Sequence, residues 1–332
     1  MNAPLLEVVD VTVRYRLRHG GRTVTLDALR GVSLVVRAGE SLGVVGESGS
    51  GKSTVARAAL GLVPAHGGCV RWRGQSLASL SPRRLRVLRR DFQLVFQDPA
   101  GSLNPRWPVL LSVREPLDVH ETRQPAALRD EQAVAMLGRV GLDGLRARYP
   151  HELSGGQCQR AAIARAMVAR PALLVCDEAL SALDVSVQRQ VMDLLSSLRA
   201  ETGVACVFIS HNLAVVRHLC TRVVVMYLGR IVEAGPVEAV FGAPLHPYTR
   251  ALLDAVPTLD PARERARRPA PTAEGPSPIA PPRGCAFSGR CPRAVARCHE
   301  ERPGPDGAPD GREVSCHRAW EWPEGLQSAL PA

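Results

Sequence analysis

The chain has 332 residues, 45% of them hydrophobic and few aromatic, with a formal net charge of +10 carried mainly by arginine. That length holds one large domain with an appendage, or two domains. No apolar run approaches the roughly 18 residues of a membrane span, and the start, MNAPLLEVVD, is neither basic nor followed by a signal-type apolar block, so a cytosolic chain is expected. Basic charge can serve nucleic acid or an anionic surface. Here no aromatic stacking platform or nucleic-acid module accompanies it, so a solvated arginine-rich surface and no nucleic-acid partner are expected.

Leu5–Tyr15 alternates as an opening strand, with Val9, Val11 and Val13 on one side. Tyr15 ends it, either as an aromatic for stacking on a base or as an ordinary strand-end tyrosine. Gly20-Gly21 marks a loop and Leu29–Val36 a second strand. Ser41–Val45 (SLGVV) is a short apolar strand that feeds Gly46–Ser53, GESGSGKS, and Thr54–Leu60 suits a helix. The pattern G-x-x-x-x-G-K-[ST] between strand and helix is a phosphate-binding loop. Gly46, Gly49 and Gly51 let the chain turn so that successive N–H groups point inward, with Glu47, Ser48 and Ser50 part of the same nucleotide-binding loop. Lys52 places a cation on the β- and γ-phosphates, and Ser53 offers a hydroxyl to Mg²⁺.

Cys69–Trp72 reads as a strand, Ser81–Arg90 as a basic helix with Pro82 in its first turn, and Leu94–Phe96 as a brief strand leading to Gln97. A proline-rich region holds Ser102–Arg106 and Val113–Leu117, and Ala126–Val140 has helical spacing. At Pro150–Arg170, Ser154 stands where a helix begins, with Gly155, Gly156 and Gln157 just inside. This is an anion-facing helix start or a capped helix with permissive glycines. Leu173–Glu178 (LLVCDE) is an apolar strand that delivers Asp177 and Glu178 at its carboxyl end, where α/β sheets bind ligands. Asp177 suits a Mg²⁺ ligand and Glu178 a base that orients or deprotonates water. After an amphipathic helix, Val185–Arg199, the buried strand Val204–Ser210 ends at His211, a structural hydrogen bonder or a functional group on that same edge. Leu213–Cys220 is a helix, and Val223–Tyr227 and Arg230–Glu233 form a hairpin about Leu228-Gly229. Alternating strands and helices predict a largely parallel core sheet with helices on its faces. Asp260–Pro282 reads as an extended linker.

GESGSGKS, Gln97, LSGGQ, LLVCDE and His211, in that order, resemble the nucleotide-binding subunit of an ATP-binding cassette (ABC) transporter over residues 5–256. Within that superfamily VFQDPAGSLNPR, SALDVSVQ, YLGRIVEAGP, HPYTRALL and the tail GCAFSGRCPRAVARC are similar to oligopeptide/dipeptide importer ATPases. The resemblance implies an α/β P-loop core of ABC ATPase type. To that core it adds an antiparallel β subdomain, a helical signature subdomain and a cysteine-bearing extension at residues 283–320, joined through 257–282. Tyr15 would stack on adenine, and Gly46–Ser53 with Thr54 would hold the triphosphate of ATP and its Mg²⁺. Gln97 would sense the metal and the attacking water, and Asp177 would hold Mg²⁺. Glu178 would be the catalytic base and His211 the switch on the γ-phosphate. Ser154, Gly155, Gly156 and Gln157 would contact nucleotide on an opposite subunit.

The implied partners are two transmembrane permease subunits, an extracytoplasmic solute-binding protein and a second ABC ATPase subunit, with the chain peripheral on the cytoplasmic face of the inner membrane. Nickel chelates or other solutes are the alternative cargo, and a soluble non-transport ABC ATPase the more distant alternative. Four positions depart from the family's pattern: Ala179 and Leu180 stand where Pro-Thr is usual, Cys158 follows Gln157 in place of arginine, and Asn212 replaces aspartate after His211.

Five of the nine cysteines are scattered, and Cys285, Cys291, Cys298 and Cys316 cluster near the end. Four thiolates can hold zinc or an iron–sulfur cluster, although no short Cys-x-x-Cys pair is present; unligated thiols are the plain reading. The subfamily resemblance points to a 4Fe–4S cluster.

Overall fold

In this computed structural model the described residues are 3–19, 22–256, 275–308 and 310–321. Most of the expected linker, 257–274, lies outside them. The elements run β1 (Pro4–His19), β2 (Arg22–Arg37), β3 (Ser41–Val45), α1 (Lys52–Ala59), β4 (Gly67–Trp72), β5 (Gln75–Ser76), α2 (Pro82–Leu88), β6 (Phe92–Val95), α3 (Pro99–Ser102), α4 (Val109–His120), α5 (Ala126–Arg139), α6 (Gly155–Met167), β7 (Leu173–Asp177), α7 (Val185–Thr202), β8 (Ala205–Ile209), α8 (Leu213–Leu219), β9 (Arg222–Tyr227), β10 (Arg230–Pro236), α9 (Val237–Gly242), α10 (Pro247–Asp254), β11 (Asp306–Gly307) and β12 (Glu313–Val314). They fall into two compact units: Met1–Glu7, Val35–Ser41 and Arg71–Ser210, and Val8–Leu34, Leu42–Val70 and His211–Ala332.

The first unit holds the parallel strands β6, β7 and β8, with Leu94 opposite Val175 and Val175 opposite Val207. Every residue of β7 and β8 is buried, which is why both read as unbroken apolar runs rather than alternating ones. Helices α4, α5 and α6 pack together, burying Val109, Val113, Ala133, Leu137 and Ile163. Helix α4 covers a stretch whose prolines predict no regular element. Pro108 stands just before its first turn, and Pro116 sits inside the helix. An internal proline forfeits one backbone hydrogen bond, and here the flanking Val113 and Leu117 keep the turn in the core. Arg114 ties α4 to α5, reaching Asp118 at 3.0 Å and Asp130 at 2.7 Å.

In the second unit β3 lies parallel to β9, with Val45 opposite Val225, and β9 turns through Leu228-Gly229 into antiparallel β10. The C-terminal segment extends this sheet. Strand β12 pairs with β10 at Glu233↔Val314, and β11 pairs with β12. Arg312 donates to the carbonyl oxygens of Ala239 and Ala243 at the end of α9, where a cation is favoured.

Glu233, fully buried, starts α10. Its carboxylate accepts the backbone N–H of Leu245 at 2.9 Å and of His246 at 3.0 Å. His246 Nδ1 then accepts the N–H of Tyr248 at 3.0 Å. Burial holds His246 neutral, its pKa lowered from 6.5 to about 3, and burial pushes the Glu233 carboxyl up. The two act oppositely on stability. The depressed histidine contributes stability above its unfolded pKa and loses it on acidification. The raised carboxyl favours folding at low pH and loses that contribution as pH rises. From pH 6.5 towards 3 the unfolded chain takes up a proton that folded His246 refuses. Stability should therefore fall by up to about 1.4 kcal/mol per pH unit from this group alone. In urea unfolding, His246→Gln is expected to give a flatter stability–pH curve than the native chain over that window, and equal slopes would contradict the assignment.

Candidate nucleotide site

The phosphate loop begins where β3 ends. Gly46, at φ +152°, passes so close to β9 that a Cβ would lie 2.2 Å from the Met226 carbonyl oxygen. Gly51, at φ +104°, would put a Cβ 2.7 Å from the Ala28 carbonyl oxygen. These two glycines are required by backbone conformation and space together. The turn of the β9–β10 hairpin closes the floor: Gly229 N–H donates to Ser50 O at 2.9 Å, and Arg30 N–H to Gly229 O at 2.9 Å. Lys52 is buried at the start of α1, and its Nζ donates to Gly46 O and Glu47 O, both at 2.9 Å. Ser50 Oγ is buried with no hydrogen-bond partner. A backbone cradle that no side chain could share, a buried ammonium and an orphaned hydroxyl suit a phosphate group. Glu47 is half-buried; Ser53 and Thr54 lie in the first turn of α1.

In the first unit, Asp177 ends β7 buried, and Glu178 follows at φ +49°, a left-handed conformation that costs a non-glycine residue roughly 1–2 kcal/mol. Its N–H donates to Ile209 O at 2.9 Å, and Ser181 Oγ donates to Glu178 O at 2.8 Å. Gln97 Nε2 donates to Glu178 Oε2 at 3.1 Å. The carboxylate is thus aimed by its backbone and by Gln97, residues 81 positions apart in sequence. Ala179 and Leu180, in place of Pro-Thr, are buried and fill the strand exit.

The Ser154–Gln157 stretch forms a capping box: Ser154 N–H donates to Gln157 Oε1 at 2.9 Å, and Gln157 N–H to Ser154 Oγ at 3.3 Å. Ser154 and Gly155 are exposed, which leaves the start of α6 open to an anion. Gly156 is buried because a Cβ there would lie 2.4 Å from Val187 Cγ1. Cys158 is buried, donates its thiol to Pro150 O at 3.4 Å, and is held neutral by burial. His211, exposed, precedes Asn212, whose side chain caps α8 by accepting Ala214 N–H at 3.0 Å. An asparagine does that work as well as the usual aspartate. Tyr15 is half-buried on β1.

Cys285, Cys291, Cys298 and Cys316 all line one cavity of about 20 Å³, room for about one water. Burial raises the thiol pKa of Cys285, Cys291 and Cys316, the last to about 11, whereas a metal needs thiolates. The donors match zinc or an iron–sulfur cluster in kind and number. Among the described residues, however, no group of three or more His, Cys, Asp or Glu is placed to hold a metal ion.

The sequence reading missed what grips the loop. Glu47 N–H donates to Tyr248 Oη at 2.7 Å, and its carboxylate accepts both terminal nitrogens of Arg290, at 2.9 and 3.0 Å. The signals were HPYT and the arginine before Cys291, motifs without a role until they met in space.

Two family models match: ABC transporter over residues 29–181, and the oligopeptide/dipeptide transporter C-terminal region over 232–298. The chain is 48% identical to the Escherichia coli K12 oligopeptide transport ATP-binding protein OppF, covering 94% of this chain and 95% of that protein. It is 46% identical to the Pseudomonas aeruginosa di/tripeptide transport ATP-binding protein DppF, covering 95% and 98%. Among solved structures, a dimeric ATP-binding cassette in a post-hydrolysis state bound to ADP and phosphate superposes with a TM-score of 0.63 at 29% identity, covering 70% of this chain and 98% of that one. Fold and loop together define an ABC-type ATPase. The chain belongs to the ABC transporter family, among its ATP-binding subunits with an oligopeptide/dipeptide-type C-terminal region.

The packing of Gly156 is directly testable. Gly156→Ala is expected to destabilise the chain by about 1–3 kcal/mol through overpacking, and Val187→Ala in the same chain to recover most of it. Urea unfolding measures both, and a Gly156→Ala chain of native stability would contradict the contact.

Proposed function

We propose that this chain is the ATP-hydrolysing subunit that powers di/oligopeptide import. The observation that carries the reading is a built phosphate loop in a chain nearly half identical to OppF along 94% of its length. Residues 5–256 act as the nucleotide-binding domain and 283–320 as an appended cysteine module, joined through 257–282. Gly46–Thr54 hold the triphosphate of ATP through Lys52 and the backbone N–H groups other than that of Glu47, which Tyr248 Oη takes, and Tyr15 stacks on the base. Ser53, Asp177 and Gln97 are the residues that would hold Mg²⁺, which would supply charge neutralisation for the phosphoryl oxygens. Glu178 orients the attacking water and accepts its proton, Gln97 fixes that carboxylate, and His211 faces the γ-phosphate.

Ser154–Gln157 complete the site of an opposing ATPase subunit, so nucleotide favours a closed pair and hydrolysis reopens it. The pair docks on two permease subunits at the cytoplasmic face, supplied by an extracytoplasmic solute-binding protein. No described helix is long and apolar enough to cross a membrane, which suits a peripheral subunit.

In the assembled transporter, Glu178→Gln is expected to lower ATP turnover at least a hundredfold while nucleotide still binds. Wild-type turnover would remove Glu178 from the role. Uptake of labelled peptides in a deletion strain, against nickel chelates and glycosides, identifies the cargo. The 4Fe–4S reading of Cys285, Cys291, Cys298 and Cys316 rests on the resemblance of the tail to the importer subfamily. Brown protein with visible absorption after anaerobic purification supports it, and colourless, metal-free protein with four titratable tail thiols overturns it.

A further inference from the structure

The C-terminal segment touches the phosphate loop itself. Its 3-10 turn Ser288–Arg290 is set by Ser288 N–H donating to Cys285 O at 3.0 Å and Arg290 N–H donating to Phe287 O at 2.9 Å. Phe287, fully buried, wedges among aromatic rings from the cassette. It stands 5.5 Å from Tyr227 at an angle of 89°, 5.4 Å from Tyr248 and 6.0 Å from His246. That wedge fixes the backbone three residues before the guanidinium. Arg290 then lies with its Cζ 5.4 Å from the Phe287 ring and makes its bidentate pair with Glu47. The Arg290 side chain is 13% exposed and that of Glu47 40%, so the pair is better sheltered than an ordinary surface pair.

Glu47 is the second residue of the loop, and its carboxylate, its N–H and its carbonyl are all engaged. Its carboxylate is clamped by Arg290, its N–H is committed to Tyr248 Oη, and its carbonyl accepts Lys52 Nζ at 2.9 Å. The last bond matters most, because the residue Arg290 holds also helps place the loop's cation. Tyr248 belongs to α10 and Arg290 to the cysteine-bearing tail, so both anchors lie outside the loop–helix unit that defines phosphate-binding loops in general. No other carboxylate within the loop, GESGSGKS, could serve the arginine.

We infer that Arg290 is a positioning residue of the nucleotide site: through Glu47 it holds the entry limb of the phosphate loop and Lys52 in the conformation that receives ATP. The inference rests on the loop being the nucleotide site, as proposed above. Arg290 touches no reacting atom and acts on affinity rather than on the chemical step. Cys285 and Cys291 flank it in sequence and line the thiol cavity together with Phe287, whose ring lies against the Arg290 guanidinium.

The test is ATP hydrolysis by the assembled transporter carrying Arg290→Ala, Arg290→Lys, Glu47→Gln or Arg290→Ala with Glu47→Gln, with Lys52→Ala as reference. Expected are a KM for ATP raised about tenfold by Arg290→Ala and by Glu47→Gln, with kcat within twofold, and partial rescue by Arg290→Lys. The double variant should be no worse than either single one. A bond that merely supports the fold would lower the melting temperature and leave KM unchanged, which overturns the inference, as does additivity in the double variant. If Arg290→Ala does not fold, Glu47→Gln carries the same comparison from the loop side. A wild-type KM in the Arg290 and Glu47 variants, with nucleotide binding abolished by Lys52→Ala, overturns Arg290 alone. Retained nucleotide binding in Lys52→Ala overturns the site.

Discussion

The approach of Gly46 to the Met226 carbonyl oxygen is the constraint on which the second unit depends. At 2.2 Å from a would-be Cβ, it fixes the loop against β9 and requires a residue without a side chain at the strand's end. From that contact the chain turns over the β9–β10 hairpin, returns at Gly51 beside Ala28, and enters α1 with Lys52 inside the turn. The cradle is backbone against backbone, so its N–H groups are pre-aimed and lose little freedom when an anion arrives. The Glu47 clamp works on the outer limb of the same loop. Floor and clamp are thus supplied by different stretches of chain, β9 below and α10 with the cysteine-bearing tail above.

The first unit solves a different problem with the same economy. The carboxylate proposed for proton transfer, that of Glu178, must be held at one place. Here β7 delivers it, a left-handed turn aims it, and Gln97 donates one hydrogen bond to it. Strain at Glu178 is compatible with that purpose, since a relaxed backbone would send the side chain elsewhere. The exposed start of α6 offers its own anion-facing end. An open helix terminus of this kind suits the proposed pairing, in which each ATPase subunit would complete the other's site.

The sequence made these two stretches readable because their chemistry is local. A strand, GESGSGKS and a helix are adjacent in the chain, as are Ser154 and Gln157 of the capping box. The acids at the end of β7 were equally plain, since a buried strand places its last residues at the ligand edge. Helix α4 was not legible: Pro116 argues against a helix locally, and the burial of Val113 and Leu117 outweighs it only in the folded chain. Nor was the Arg290–Glu47 pair, whose members lie 243 residues apart. Glu233 read as a hairpin residue, because nothing near it in sequence announces that two amides from the start of α10 will bury it. The tail cysteines were recognised as a group, and the fold brings them to one cavity. Among the described residues, no group of three or more His, Cys, Asp or Glu is placed to hold a metal ion.

The most direct measurement of the central claim, that one chain's loop and another chain's helix terminus share a nucleotide, is hydrogen–deuterium exchange. It should be run on the Glu178→Gln form in the assembled transporter, with and without ATP and Mg²⁺. Slowed exchange is expected in peptides covering 46–54 and 154–157 together. In the isolated chain at low concentration, protection should be confined to 46–54. Protection of 46–54 in the assembled transporter with no change at 154–157 would contradict the shared site.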